Sequence, residues 1–254
     1  MELELWTIAL LCLVYFAAGF VDSVAGGGGL ITMPCMLLAG IPPDLAFGTN
    51  KMASSFGLGA ALVNYARGGL VLWRAAPLGV PAVLLGAAAG TEVLLIFDNE
   101  TIGKIVVFLL PLGIVATFLP KTDRGEKEIG PRQFYILLPL VGLVIGFYEG
   151  FFGPGAGSFF ILALHFLLGF GLLQASATTK LLNFAATLSS GIVFISQGKV
   201  LFLLAIPLAV FSIAGNLTGS RTAMRVGGGF IRRVLSFSLS LLFISLIWKF
   251  WFGS

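Results

Sequence analysis

The sequence predicts an all-α polytopic membrane protein. It is read as two inverted repeats of about five helical segments each, with short broken helices following glycine-rich turns. Three observations carry this reading: the composition, the pattern of breaks between apolar runs, and an internal repeat. The 254 residues are 58% hydrophobic and only 10% charged, with a mean hydropathy of +1.04, where an ordinary soluble domain has about 25% charged residues. A soluble fold of this length leaves roughly a quarter of its unfolded surface in water, too much for so apolar a chain. A water-soluble enzyme, an extracellular disulfide module and a disordered chain are excluded on that ground.

The apolar runs break at Gly or Pro clusters or at charges, as helix ends do. In the first half they cover 4–25, 28–40, 43–67, 70–97 and 99–119; in the second, 132–152, 155–168, 171–197, 199–225 and 229–252. The first run follows Glu2 and Glu4 with no base before it, so it reads as a retained helix and not as a signal peptide, which needs a positive start. The second run of each half is the short one. About 13 residues reach roughly 20 Å, against about 30 Å of hydrocarbon, which places the glycine turn before it inside the membrane. The third run of each half carries a lysine, and the fourth carries paired glycines. The longest polar stretch, Lys121 to Arg132, separates the halves. This gives a first repeat at 1–120, a cytoplasmic connecting loop at 121–131 and a second repeat at 132–254.

The repeat itself is legible in residues. Gly19-Phe20-Val21-Asp22 recurs as Gly146-Phe147-Tyr148-Glu149, and a glycine-rich turn follows each. Thr49-Asn50-Lys51 aligns with Thr178-Thr179-Lys180, and Gly86 and Gly90 with Gly215 and Gly219. Ordered matches across most of both halves signal duplication.

Net charge is +4, and the bases serve to orient the chain; nucleic acid is not an expected partner. If all ten segments cross, Arg67, Arg74, Lys121, Arg124, Lys127, Arg132, Arg221, Arg225, Arg232 and Arg233 share one side, with Lys104, Lys199 and Lys249 opposite. That asymmetry puts the base-rich loops in the cytoplasm and both termini outside; re-entrant short segments would give eight crossings instead. An odd number per repeat inverts the second copy, the architecture of secondary transporters.

Candidate site residues are those a membrane should not tolerate. Lys51 and Lys180 lie inside apolar spans, where a charge at the bilayer centre costs about 2.5–3.5 kcal/mol on insertion scales. Snorkelling accounts for one such lysine, but two at repeat-equivalent positions ask for a function. Ser176, Thr179, Lys180, Asn183 and Thr187 share one helix face, and Thr49, Asn50 and Ser54 neighbour Lys51. A lysine among neutral donors with few acids nearby is what an anion site requires, although hydroxyls and amides also serve helix packing. The turns containing Gly27, Gly28, Gly155 and Gly157 lead into short helices whose first N–H groups attract anions. Asp22 and Glu149 are the other intramembrane charges. Proton coupling is one reading, since burial favours a neutral carboxyl; a counter-ion for a lysine and a helix cap are the others. No catalytic constellation, metal cluster or cofactor motif is expected, and the chain is read as a non-enzyme. The lone His165 reads as structural, Cys12 and Cys35 as packing residues, and Asp44, Glu92, Asp98 and Glu100 as segment ends facing water.

Residues 19–29, ending in Ala25-Gly26-Gly27-Gly28-Gly29, with Phe47-Gly48-Thr49-Asn50-Lys51, resemble the first-half signature of the sulfite exporter TauE/SafE family. Residues 146–158 with Thr178-Thr179-Lys180-Leu181-Leu182-Asn183 resemble its second-half signature; Glu149 stands where that copy often has Asp. The resemblance implies an inner-membrane, multi-pass carrier for anionic sulfur compounds such as sulfite or sulfonates, in a family usually drawn with about eight spans. The expected partners are a small anion and the lipid bilayer. The expected activity is secondary transport driven by protons or membrane potential; an anion channel or a membrane-embedded enzyme are the alternatives.

Overall fold

A computed structural model describes residues 4–115 and 130–227. These form nine α-helices: α1 Leu5–Ala25, α2 Gly29–Leu38, α3 Pro43–Arg67, α4 Ala76–Leu95, α5 Asn99–Val115, α6 Pro131–Phe151, α7 Ala156–Phe166, α8 Leu172–Ser196 and α9 Phe202–Val226. A single 3-10 turn, Trp73–Ala75, leads into α4. There is no strand among the described residues. Each helix falls on one of the expected segments. The tenth segment, 229–252, and residues 121–129 of the connecting loop lie outside the described residues.

Local chemistry sets the helix starts. Proline, whose missing N–H costs nothing in a first turn, opens α3 and α6. The Asp98 carboxylate caps α5 by accepting the Thr101 N–H at 2.7 Å, and that bond holds its carboxyl below the usual range. Five helices are long and apolar enough to cross a membrane: α1, α6, α8, α9, and α4 together with its leading turn. The α2 and α7 helices have 10 and 11 residues, so each covers about half of the ~30 Å hydrocarbon core. Every long helix turns large apolar side chains outward, among them Leu13, Phe56, Leu85, Leu143, Ile192 and Leu203. Such a surface suits lipid and not water, and the chain is a multi-pass membrane protein.

Equivalent helices make equivalent contacts, and the halves interlock. Helix α1 packs on α9 from the other half, as α6 packs on α4; α3 also packs on α9 and α8 on α4, while α3 and α8 meet at the centre. The paired glycines of the repeat do the same work twice. Gly215 and Gly219 lie against the α1 backbone at Phe16 and Phe20, and Gly86 and Gly90 against the α6 backbone at Leu143 and Phe147. Without a hydrophobic drive between helices in lipid, small residues provide close packing. One apolar core gathers Tyr15, Met33, Phe47, Phe152 and Phe194; its counterpart gathers Val83, Leu138, Phe160 and Leu182.

The starts of α3 and α8 dock reciprocally. Thr49 Oγ1 accepts the Leu201 N–H at 3.0 Å, and Thr178 Oγ1 accepts the Leu72 N–H at 3.1 Å. This docking corrects one expectation. Asp44 does not face water: the first turn of α3 lies under the α8–α9 connection, where Asp44 is buried and pairs with Lys199 at 2.7 Å. His165 closes the end of α7 by donating from Nδ1 to the Phe170 carbonyl at 2.7 Å.

Two glycines of similar sequence context should respond oppositely to alanine. At Gly215 a Cβ would run into the Phe16 carbonyl, so Gly215→Ala should cost about 1–3 kcal/mol through overpacking. At Gly191, inside α8, nothing lies within 4 Å of that position, so Gly191→Ala should gain up to about 1 kcal/mol from helix propensity. Thermal unfolding in detergent checks both; a harmless Gly215→Ala would disprove the close α1–α9 contact.

Candidate functional site

The site begins where α1 and α6 end, against the two glycine turns. The last four carbonyls of a helix have no intrahelical partner, and each left bare in hydrocarbon costs several kcal/mol. At the end of α1 all four are met. The Asp22 carbonyl accepts from Lys180 Nζ and from the Gly26 N–H. The Ser23 carbonyl accepts from the Tyr65 hydroxyl at 2.9 Å, Val24 from Ser176 at 2.8 Å, and Ala25 from Ser158 at 3.1 Å. At the end of α6, the Glu149 carbonyl accepts from Lys51 Nζ, the Gly150 carbonyl from Thr91 at 3.2 Å, and the Tyr148 carbonyl from the Phe152 and Gly153 amides. Each lysine therefore crosses into the other half and caps a helix C-terminus, where the macrodipole favours a cation.

Beyond this shared role the two ends differ. Lys51 also forms an ion pair with Glu149 Oε1 at 2.7 Å, with side chains 3% and 7% exposed. Thr187 donates to the same oxygen at 3.0 Å. Lys180 makes no ion pair among the described residues. The Asp22 carboxylate instead accepts the Gly28 N–H at 3.0 Å and ties the end of α1 to the start of α2. Glu149 thus contacts a lysine side chain and Asp22 a backbone amide. A counter-ion for a lysine is one of the readings the sequence allows for the two acids, and the fold brings Glu149 across 98 residues onto Lys51.

The two glycine turns meet backbone to backbone. A Cβ on Gly157 would lie 2.9 Å from the Gly26 Cα. Gly153 has φ +88, and a side chain there would meet Lys51 Nζ at 2.5 Å, so only glycine fits beside the ion pair. Next to the turns lies a polar cavity of about 40 Å³. Its wall includes Tyr15, Gly19 and Asp22 of α1, and Gly27, Gly28 and Thr32 at the start of α2. From α3 come Asn50, Lys51 and Ser54, from α6 Glu149, from the α6–α7 turn Gly153 and Gly155, and from the start of α7 Gly157. Helix α8 adds Asn183 and Thr187, and α9 adds Ser212 and Asn216.

The structure therefore gathers Lys51, Asn50, Ser54, Asn183, Asp22, Glu149 and the four named glycines around one space. Lys180, Thr49, Ser176 and Thr179 do not line it. Lys180 is sealed against the Asp22 carbonyl, Thr49 faces Leu201, and Ser176 faces Val24. Thr179 is fully buried, with its hydroxyl unpartnered among the described residues. Sequence reasoning missed Tyr15, Thr32, Ser212 and Asn216. Tyr15 donates to Asn50 Oδ1 at 2.8 Å, a contact no local pattern announces. Ser212 and Asn216 stand four apart in an apolar run, which was a readable signal.

Removing one partner of the buried pair should destabilise strongly, by about 3–5 kcal/mol, because a charge is left alone in a low dielectric. Lys51→Met should therefore lower the thermal midpoint in detergent more than the double variant Lys51→Met/Glu149→Leu does. A double variant as damaged as the sum of its singles would show that the two side chains do not interact.

The profile of the sulfite exporter TauE/SafE family matches residues 11–246. The probable membrane transporter protein ORF9 of Sinorhizobium sp is 41% identical over 92% of this chain and 90% of its own length. A probable membrane transporter protein of Haemophilus influenzae is 38% identical, over 91% of each chain. The probable membrane transporter protein YfcA of Escherichia coli K12 is 33% identical, over 90% of this chain and 85% of its own. No solved structure matches the chain. With the family profile spanning nearly its whole length, the chain belongs to the sulfite exporter TauE/SafE family of membrane transporters.

Proposed function

We propose that the chain is a secondary transporter carrying a small sulfur-containing oxyanion, such as sulfite or a sulfonate, across the inner membrane, coupled to protons through Glu149. It works by alternating access of two inverted repeats, 1–120 and 132–254, joined by a cytoplasmic loop at 121–131. The observation that carries this reading is the Lys51–Glu149 pair on the wall of the polar cavity.

Charge bookkeeping gives the coupling. With both members ionised the pair is neutral, and an entering anion meets the carboxylate as well as the ammonium. A proton on Glu149 removes that repulsion and leaves the Lys51 charge to the anion, so proton and anion enter together. The other charged and titratable groups facing this point are Asp22 and Tyr15 on α1, and Tyr148 on α6. Lys180 stands behind Asp22 on α8. Asn50 and Ser54 on the same wall offer hydrogen bonds to an anion. Size agrees as well: about 40 Å³ gives room for roughly three waters, enough for an oxyanion of a few atoms. The reciprocal lysine caps support inverted repeats, since each half holds the other at the same place.

Lys51 is the lysine assigned to the anion. Lys51→Gln should weaken binding at least about tenfold, the loss of one charge-assisted bond, whereas Lys180→Gln should act through folding. In proteoliposomes, an imposed pH gradient should drive sulfite uptake by the wild type. Glu149→Gln should keep counterflow exchange and lose the response to the gradient; an unchanged gradient response would remove Glu149 from coupling.

A further inference from the structure

Asn216 sits on α9 where α1 and α3 close over it, and it is 2% exposed. Its amide nitrogen donates to the Ser212 carbonyl at 3.0 Å. That bond fixes the amide: turned over, its oxygen would face the carbonyl, acceptor against acceptor. Oδ1 is buried and has no donor among the described residues, while the residue lines the cavity. Two glycines make room for this side chain. A Cβ at Gly19 would come within 2.8 Å of Nδ2, and one at Gly57 within 2.5 Å. Packing does not call for an amide here. At the repeat offset that relates Gly215 to Gly86, Asn216 corresponds to Ala87 and Ser212 to Val83, and those positions serve the equivalent α4–α6 contact with apolar side chains. A second orphaned acceptor, Asn183 Oδ1, belongs to the same wall.

We propose that Asn216 is a specificity-determining residue whose Oδ1 accepts a hydrogen bond from the substrate, so that the site selects an oxyanion bearing its own O–H over a fully deprotonated one. The inference rests on the anion-carrier reading and narrows it. A fully deprotonated oxyanion offers only acceptors. Oδ1 is already buried and unpaired; a fully deprotonated oxyanion leaves it so, whereas a hydrogen-oxyanion supplies the missing donor. Leaving a buried acceptor unpaired corresponds to about tenfold or more in affinity. Lys51 then meets the negative oxygens from α3, and Asn216 meets the hydroxyl from α9.

Hydrogencarbonate and nitrate separate the two cases. Both are planar, singly charged and equal in heavy atoms, and only the first carries an O–H. Each is used to inhibit sulfite uptake by the reconstituted protein at one neutral pH, so that the protein's own titration is constant. Hydrogencarbonate should inhibit about tenfold more strongly than nitrate, and Asn216→Leu should bring the ratio close to one by weakening hydrogencarbonate alone. Asn216→Thr, of smaller volume, serves if the leucine variant does not fold, and the wild-type ratio needs no variant. Equal inhibition in the wild type, absence of inhibition by hydrogencarbonate, or a preference that survives in the variant overturns the proposal while sulfite uptake keeps the anion carrier standing. Failure of sulfite and of both anions to interact with the protein would instead sink the carrier reading.

Discussion

A helix end buried within a protein leaves carbonyls that need donors, and the rest of this structure follows from how those carbonyls are met. Helices α1 and α6 both end in this way, at Ala25 and Phe151 beside the glycine turns. Continuing either as a regular helix would have avoided the problem and removed the glycine turns. The chain instead brings donors from a distance: Lys180, Ser176 and Ser158 reach back to α1, and Lys51 reaches forward to α6. Because most of these donors come from the opposite half of the chain, neither helix end is satisfied within its own half. The interlocked packing of α1 with α9 and of α4 with α6 is the scaffold that holds donor and acceptor in register.

That arrangement explains how a lysine can lie inside an apolar span. The ammonium sits at the negative end of a helix dipole with a backbone acceptor in place, so the burial cost is met before any substrate enters. Lys180 stops at this role. Lys51 goes further, because Glu149 and the cavity lie beside it. The proposed transport chemistry uses the difference: one of the two helix ends is sealed, and the other holds a neutralised charge at the edge of a space of ionic size.

Much of the fold was legible. Apolar runs and their Gly, Pro or charge breaks placed all nine described helices, including the short α2 and α7, because membrane thickness and helix rise leave few alternatives. The repeat located Lys51, Lys180, Asp22 and Glu149 because the membrane penalises charge enough to make such residues conspicuous. An acid beside a lysine was legible as one alternative, but most of what those residues touch was not. Helix-face arithmetic put Thr49 and Ser176 beside the lysines, but capping a distant amide or carbonyl is a tertiary event with no local period. Asp44 looked like a solvent-facing helix start until the α8–α9 connection covered it. The pairing of Lys51 with Glu149 and not with Asp22 depends on which halves meet, which one strand of sequence does not encode in any spacing.

Counting protons on anion binding tests the proposed link between Lys51 and Glu149 most directly. Nitrate does not itself titrate near neutral pH, so any proton movement on its binding belongs to the protein. In weakly buffered detergent solution with a pH indicator, saturating nitrate should draw a proton from solution into the wild-type protein and draw none into Glu149→Gln. Nitrate binding to the wild type with no proton taken up would contradict the view that Glu149 must be neutralised before Lys51 can hold an anion.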